Sequence, residues 1–189
     1  MPSMPNPAAP GDLEIVRTFL NSADLEAGQD EIASPDALAG WLVEAGLCAT
    51  PPAPTRAEVG DARDFREALR ELAFANCCGE EVAPESALAT LERIAARTAL
   101  RPRFCAPSGV CALEPLGEGI DAAFARLLGI VYRAMVDGSW QRFKACRKTS
   151  CRFVFFDRTK NRSGQWCSMA VCGNRVKAQR RRARFRAEP

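Results

Sequence analysis

The chain has no histidine at any of its 189 positions. Histidine is the side chain whose ordinary pKa lies near neutral pH. Its absence removes the commonest acid–base catalyst, Ser–His and Cys–His nucleophile pairs, and every imidazole metal ligand. A transition-metal site here must rest on cysteine, aspartate or glutamate. Long apolar runs are missing as well. "LLGIV" at 127–131 and "FVFF" at 153–156 fall far short of the roughly 20 residues that cross a bilayer. The opening "MPSMPNPAAPG" lacks a basic region followed by an apolar one. It reads as a disordered lead-in over 1–11 rather than a secretory signal, and a cytoplasmic protein is expected. No Gly-rich phosphate loop and no internal repeat are visible. With no reaction centre in sight, the chain is not read as an enzyme.

Nine cysteines and a divided charge are what the sequence does have. In a reducing compartment, cysteines are buried, metal-bound or reactive rather than disulfide-bonded. Residues 141–189 carry 15 Lys and Arg against two Asp and Glu, a net +13, whereas residues 1–140 carry 11 against 21, a net −10. Such a split predicts two bodies with different electrostatic tasks, and the 47% hydrophobic content supports an ordinary core.

The acidic part reads as mostly helical. Leu13, Val16, Phe19 and Leu20 share one helical face in 12–22. Ser34 and Pro35 are cap and first turn of a helix over 34–47 that turns Leu38, Trp41, Leu42 and Ala45 inward. Thr55 and Glu58 have capping-box spacing ahead of Val59, Phe65, Leu69, Leu72 and Ala73. A helix over 83–99 should bury Leu88, Leu91 and Ile94. "LRPRFCA" and "GVCALEP" flank "PSG" as a β-hairpin. Residues 117–137 form the strongest helix, with Ile120, Phe124, Leu127, Val131 and Met135 at helical spacing. From Trp140 on, two strands with "CRKTSC" between them, a polar loop over 158–164, and a helix capped by Ser168 are expected.

Cys146, Cys151, Cys167 and Cys172 make Cys-x4-Cys-x15-Cys-x4-Cys. Two short-range pairs, one at a hairpin tip and one at a helix start, suit a tetrahedral site for one structural zinc. That is the layout of a treble-clef-like finger. Four buried thiols or an iron–sulfur cluster are the other readings of four such cysteines. Zinc is favoured because a segment of about 45 residues is marginal without a staple. Cys48, Cys77, Cys78, Cys105 and Cys111 lack such spacing and read as small core residues, with Cys105 and Cys111 facing each other across the hairpin.

The string "WCSMAVCGNRVKAQRRRAR", with "CRKTSCRFVFFDRTKNRSGQWC" before it, resembles the CGNR zinc-finger family, whose signature is Cys172-Gly173-Asn174-Arg175. Residues 16–47 resemble the opening of the ABATE domain that usually precedes this finger. Asn21-Ser22 stands where an Asn-Thr pair is common in that family. The resemblance implies a bacterial transcriptional regulator that responds to stress or to a small effector. The fold expected is α+β. A helical ABATE-like domain with a small hairpin over 12–139 precedes a four-cysteine zinc finger with a basic helix over 140–189.

The basic helix presents Asn174, Lys177, Arg181 and Arg184 on one face, where arginine can bridge guanine and asparagine adenine in a major groove. Arg175, Arg180 and Arg182, with Arg158, Lys160 and Arg162 of the loop, complete the candidate DNA contacts. Asn174 and Arg175 could instead serve the finger itself. Asn21, Arg66 and Arg70 are the polar candidates for an effector pocket, because each sits on an otherwise apolar helix. A homodimer would match the symmetry of many DNA sites. The competing expectation is a protein-interaction module, with structural zinc and a basic tail that docks an acidic partner.

Overall fold

Local side-chain caps at Ser34 and Thr55 set the starts of two helices. A computed structural model describes residues 7–50, 52–78 and 83–187, and their side chains except those of 78, 180 and 183–187. Helix α1, Leu13–Asn21, buries Leu13, Val16, Phe19 and Leu20. A short antiparallel pair follows, β1 (Ala23–Asp24) and β2 (Gln29–Asp30). Helix α2, Pro35–Glu44, starts where Ser34 Oγ accepts the Ala37 N–H at 3.2 Å, a cap whose loss costs about 1 kcal/mol. The long helix α3, Arg56–Cys78, opens with the capping box. Thr55 Oγ1 accepts the Glu58 N–H at 3.2 Å, and Glu58 Oε2 accepts the Thr55 N–H at 2.7 Å.

Helix α4, Glu85–Ala95, lies along α3 and buries Ala87 and Ile94. Leu88, expected inward, is exposed, because α4 turns only one narrow stripe to its neighbour. Strands β3 (Leu100–Cys105) and β4 (Val110–Pro115) form the hairpin. Helix α5, Gly119–Val136, is mostly buried, although Met135 near its end is exposed. Cys105 pairs with Val110 and Cys111 with Phe104. Alternation along a strand therefore puts the two thiols on opposite faces. Both are exposed, so neither is a core residue.

A 3-10 turn, Trp140–Arg142, leads into β5 (Phe143–Ala145), which pairs with β6 (Val154–Phe156). After the loop, a π-helical turn, Met169–Gly173, runs into α6, Asn174–Ala187. The architecture is α+β, with three two-stranded antiparallel sheets among the described residues.

Phe19, Phe65 and Phe124 meet in the centre as tilted rings, 5.7 and 5.1 Å between centroids. Each large buried side chain there contributes about 1.5–3 kcal/mol. Trp140, Phe143, Ala145 and Val154 belong to this same core. Trp140 stacks on Phe143 at 5.0 Å. Asn76 near the end of α3 donates to the carbonyls of Trp140 and Phe143 at 2.8 and 2.9 Å. The charge boundary near residue 140 is thus not a boundary between cores. Of the lead-in expected to be disordered, residues 1–6 lie outside the described residues. Ala9 is buried, and its N–H donates to Glu14 at 2.7 Å, which ties 7–11 to α1.

Candidate metal centre and the helix it anchors

The turn Cys146–Cys151 sits at the tip of the β5–β6 hairpin. Cys146 N–H donates to the Phe153 carbonyl at 2.9 Å, and Cys151 N–H to the Lys148 carbonyl at 2.8 Å. Arg152 then takes φ 52°, an uncommon conformation for a residue with a Cβ. Its side chain fixes it there. It lies 3.7 Å over the Phe74 ring and donates to Glu71 at 2.5 Å, both on α3. The second pair comes from the other side. Ser168 Oγ accepts the Val171 N–H at 3.3 Å, which starts the turn that carries Cys172.

The four Sγ atoms of Cys146, Cys151, Cys167 and Cys172 lie within 4.8 Å of one another. Cys151 to Cys167 is 3.7 Å and Cys167 to Cys172 is 3.6 Å. A zinc–sulfur distance of about 2.3 Å gives a tetrahedron with an edge of about 3.8 Å, so the thiols are already spaced as ligands. Their protonation tells the same story. Hydrogen bonds from Cys151 and Cys167 push the Cys146 thiol far down, and the same bonds push Cys151 and Cys167 up. Burial, then the charge of Cys146, pushes Cys172 up. Left alone, the cluster cannot hold four thiolates, and a dication at its centre removes that conflict. The four thiols can hold one zinc ion, and four protein ligands close its coordination.

The loop behind the site is built on an ion pair. Asp157 accepts from Lys144 Nζ at 2.8 Å, from the Thr159 N–H and hydroxyl at 2.9 and 2.7 Å, and from the Gly164 N–H at 2.8 Å. Burial opposes its charge, but these donors win and hold its pKa at about 2. A Cβ at Gly164 would stand 2.8 Å from the Asp157 carboxylate, so only glycine fits. The loop's end then meets the first knuckle, where Arg147 N–H donates to the Gln165 carbonyl at 3.0 Å.

Residues 13–137 match the family model of ABATE, described as "Putative stress-induced transcription regulator". The chain belongs to the ABATE family. Residues 142–185 match the CGNR zinc finger. Both families are of regulator or zinc-finger type. No curated protein matches the chain. Among the described residues, no helix is long and apolar enough to cross a membrane.

In the CGNR signature, Gly173 lets Trp166 close on the helix start. A Cβ there would meet Met169 Sδ at 2.5 Å and Trp166 Cδ1 at 3.2 Å. Asn174 is exposed, and its Nδ2 donates to the Ala170 carbonyl at 3.2 Å. Arg175 donates to Glu26 at 2.7 Å. Lys177, Arg181 and Arg182 are exposed on α6, whereas the side chains of Arg180 and Arg184 lie outside the described residues. In the loop, Arg158 donates to the Ala8 carbonyl at 2.7 Å and Arg162 to Gln141 at 3.0 Å, and Lys160 is exposed.

The three ABATE-domain candidates are committed to internal bonds. Asn21 pairs with the Val154 backbone. Arg66 is buried and grips Asp30 with two bonds of 2.7 and 3.0 Å, with a third to Ser22 at 3.0 Å. Burial opposes its charge, and Asp30 more than offsets that. Arg70, also buried, donates to the Leu20 carbonyl and to Glu67, and burial pushes its pKa down. A cavity of about 620 Å³ opens elsewhere, between the α2–α3 connection and the start of α5, with Cys48, Gly119 and Arg126 in its wall. Sequence patterning gave no sign of it, because its wall comes from two segments some 70 residues apart.

Proposed function

We propose that this ABATE–CGNR chain is a duplex-DNA-binding transcriptional regulator of the bacterial cytoplasm. Its zinc is structural, and α6 is the element presented to DNA. The observation that carries this reading is that α6 leaves directly from Cys172. Between Asn174 and Arg182 it has four arginines and a lysine but no acidic residue. Metal thus fixes the start of a cationic helix of the width a major groove admits. Exposed Asn174, Lys177, Arg181 and Arg182 are its candidates for base or phosphate contact, with Arg158, Lys160 and Arg162 as further cations. Arg175 would join them once released from Glu26.

The acidic domain would report on a small effector. The cavity at the start of α5 is its proposed seat, since 620 Å³ is an ordinary size for a small-molecule site. Pairing of two copies has its own support. Phe104 and Leu113, which the register puts on one face of the hairpin, are 73% and 36% exposed, apolar surface that a second copy could cover.

The test is binding of zinc-loaded protein to labelled duplexes at varied salt. If six to ten phosphates are contacted, affinity falls by about 10³–10⁵ between 50 and 200 mM salt. Absence of binding at the lower salt, to genomic fragments that include the protein's own promoter, would end the proposal.

A further inference from the structure

Between the first cysteine turn and α6 lies an open cleft of about 380 Å³. Lys148 and Ser150 of the turn form one wall, and Arg175, Gln179 and Arg182 of α6 form the other. Residues 175, 179 and 182 follow one another at helical spacing, so all three share one face. Lys148 is unusual for a lysine on a small finger. Its side chain is only 9% exposed, so the ammonium is delivered to this one place.

The anion in the cleft comes from the ABATE domain. Glu26, on the β1–β2 turn, accepts on a single oxygen, Oε1, from Lys148 Nζ and from Arg175 Nη1, both at 2.7 Å. The turn that carries it is fixed at both ends. Asp24 Oδ1 accepts the N–H groups of Glu26 and Ala27 at 2.9 Å each, and Asp30 is clamped by Arg66. Glu26 is therefore a positioned carboxylate rather than a stray surface contact. Lys148, Arg175 and Arg182 line the cleft against Glu26, with Asp24 behind it on the same turn, which leaves the cleft in positive surplus. Arg175 and Glu26 are 54% and 45% exposed, so solvent and an outside anion can reach the pair.

Lysine and arginine with hydroxyl and amide groups beside them are the donors that hold a nucleic-acid phosphate. We propose that this cleft binds a backbone phosphate of duplex DNA, and that Glu26 holds the phosphate's place in the free protein. The proposal rests on the DNA-binding reading above. It adds Lys148 to the contact set and makes the β1–β2 turn the point at which the ABATE domain competes with DNA.

The experiment compares the zinc-loaded full chain with Glu26→Gln and Glu92→Gln, using a labelled duplex of mixed sequence at about 50 mM salt. Zinc content and melting temperature are matched first. Glu92 is an exposed residue of α4, and its variant controls for the change in net charge. Removing the internal competitor should tighten binding about 5- to 20-fold in Glu26→Gln and leave Glu92→Gln at the wild-type affinity. In a Lys148→Gln background the gain should vanish. Should Glu26→Gln unsettle the turn, Glu26→Asp, which withdraws the carboxylate by one methylene, should also bind more tightly than wild type. Equal affinities for wild type, Glu26→Gln and Glu92→Gln overturn the cleft assignment and leave DNA binding standing. No binding by any of the proteins overturns both.

Discussion

Asn21 on α1 holds Val154 on β6 with both ends of its amide. Oδ1 accepts the Val154 N–H at 2.7 Å, and Nδ2 donates to the Val154 carbonyl at 2.9 Å. The side chain imitates a neighbouring strand and satisfies backbone groups that the short β5–β6 pair leaves open. Asn21→Ala should destabilise the zinc-loaded protein by about 1–3 kcal/mol, because two backbone groups lose their partners. Asn21→Asp keeps the acceptor but sets a carboxylate oxygen against the Val154 carbonyl, so near neutral pH it should be at least as damaging as alanine. Urea denaturation measures all three, and an unchanged midpoint in the alanine variant would contradict this role.

Metal removal should be felt beyond the finger. Metal analysis is expected to give one zinc per chain, and Cys172→Ser should abolish it. Structural zinc supplies about 10–16 kcal/mol of folding free energy in isolated fingers. Since Trp140, Phe143, Ala145 and Val154 lie in the common core, chelation should lower the melting temperature of the whole chain. A helical signal from the ABATE domain that melts at the same temperature with and without zinc would contradict the shared core.

Asp157 gives a pH signature. Its folded pKa of about 2 lies below the usual carboxylate range. Its contribution to stability is therefore complete above about pH 5 and is lost as pH falls from there through about 2. Asp157→Asn leaves buried Lys144 without its carboxylate, at a cost of about 3 kcal/mol. The difference between wild type and variant, read from urea midpoints, should stay constant from neutral pH to about 5 and shrink only in stronger acid.

Arg66 and Asp30 should behave as a unit. Arg66→Ala leaves Asp30 with the half-exposed Arg63 as its remaining cation, and breaking a buried pair costs about 3–5 kcal/mol. The double variant Arg66→Met with Asp30→Leu should recover part of that loss, because no buried charge is left unpaired. A double-mutant cycle by thermal melting would show the coupling as non-additivity.

What was legible in the sequence was what neighbours in the chain decide. Ser34, and Thr55 with Glu58, cap helices within three residues of themselves. The four cysteines announce themselves by spacing, since each pair lies within one short turn. Longer-range partners leave no such mark. Asn21 and Val154 are 133 residues apart, and Glu26 and Lys148 are 122 apart. Asn21, Arg66 and Arg70 are polar groups on apolar helix faces, but polarity alone does not say that Val154, Asp30 and Leu20 take them up. Helical spacing marked Leu88 and Met135 as apolar-face residues without telling whether anything covers that part of the face. Cys105 and Cys111 needed the hairpin register, and a shift of one residue separates them by the thickness of the sheet.

Helix α3 ends in Glu71, Phe74, Asn76 and Cys77, and each of the four touches something beyond residue 139. A CGNR finger taken from one ABATE protein and joined to another would arrive without the wall it was fitted to. Lineages that exchange fingers must therefore carry these four positions along or re-fit them. Chains trimmed at the junction for laboratory use would bare the same wall to water.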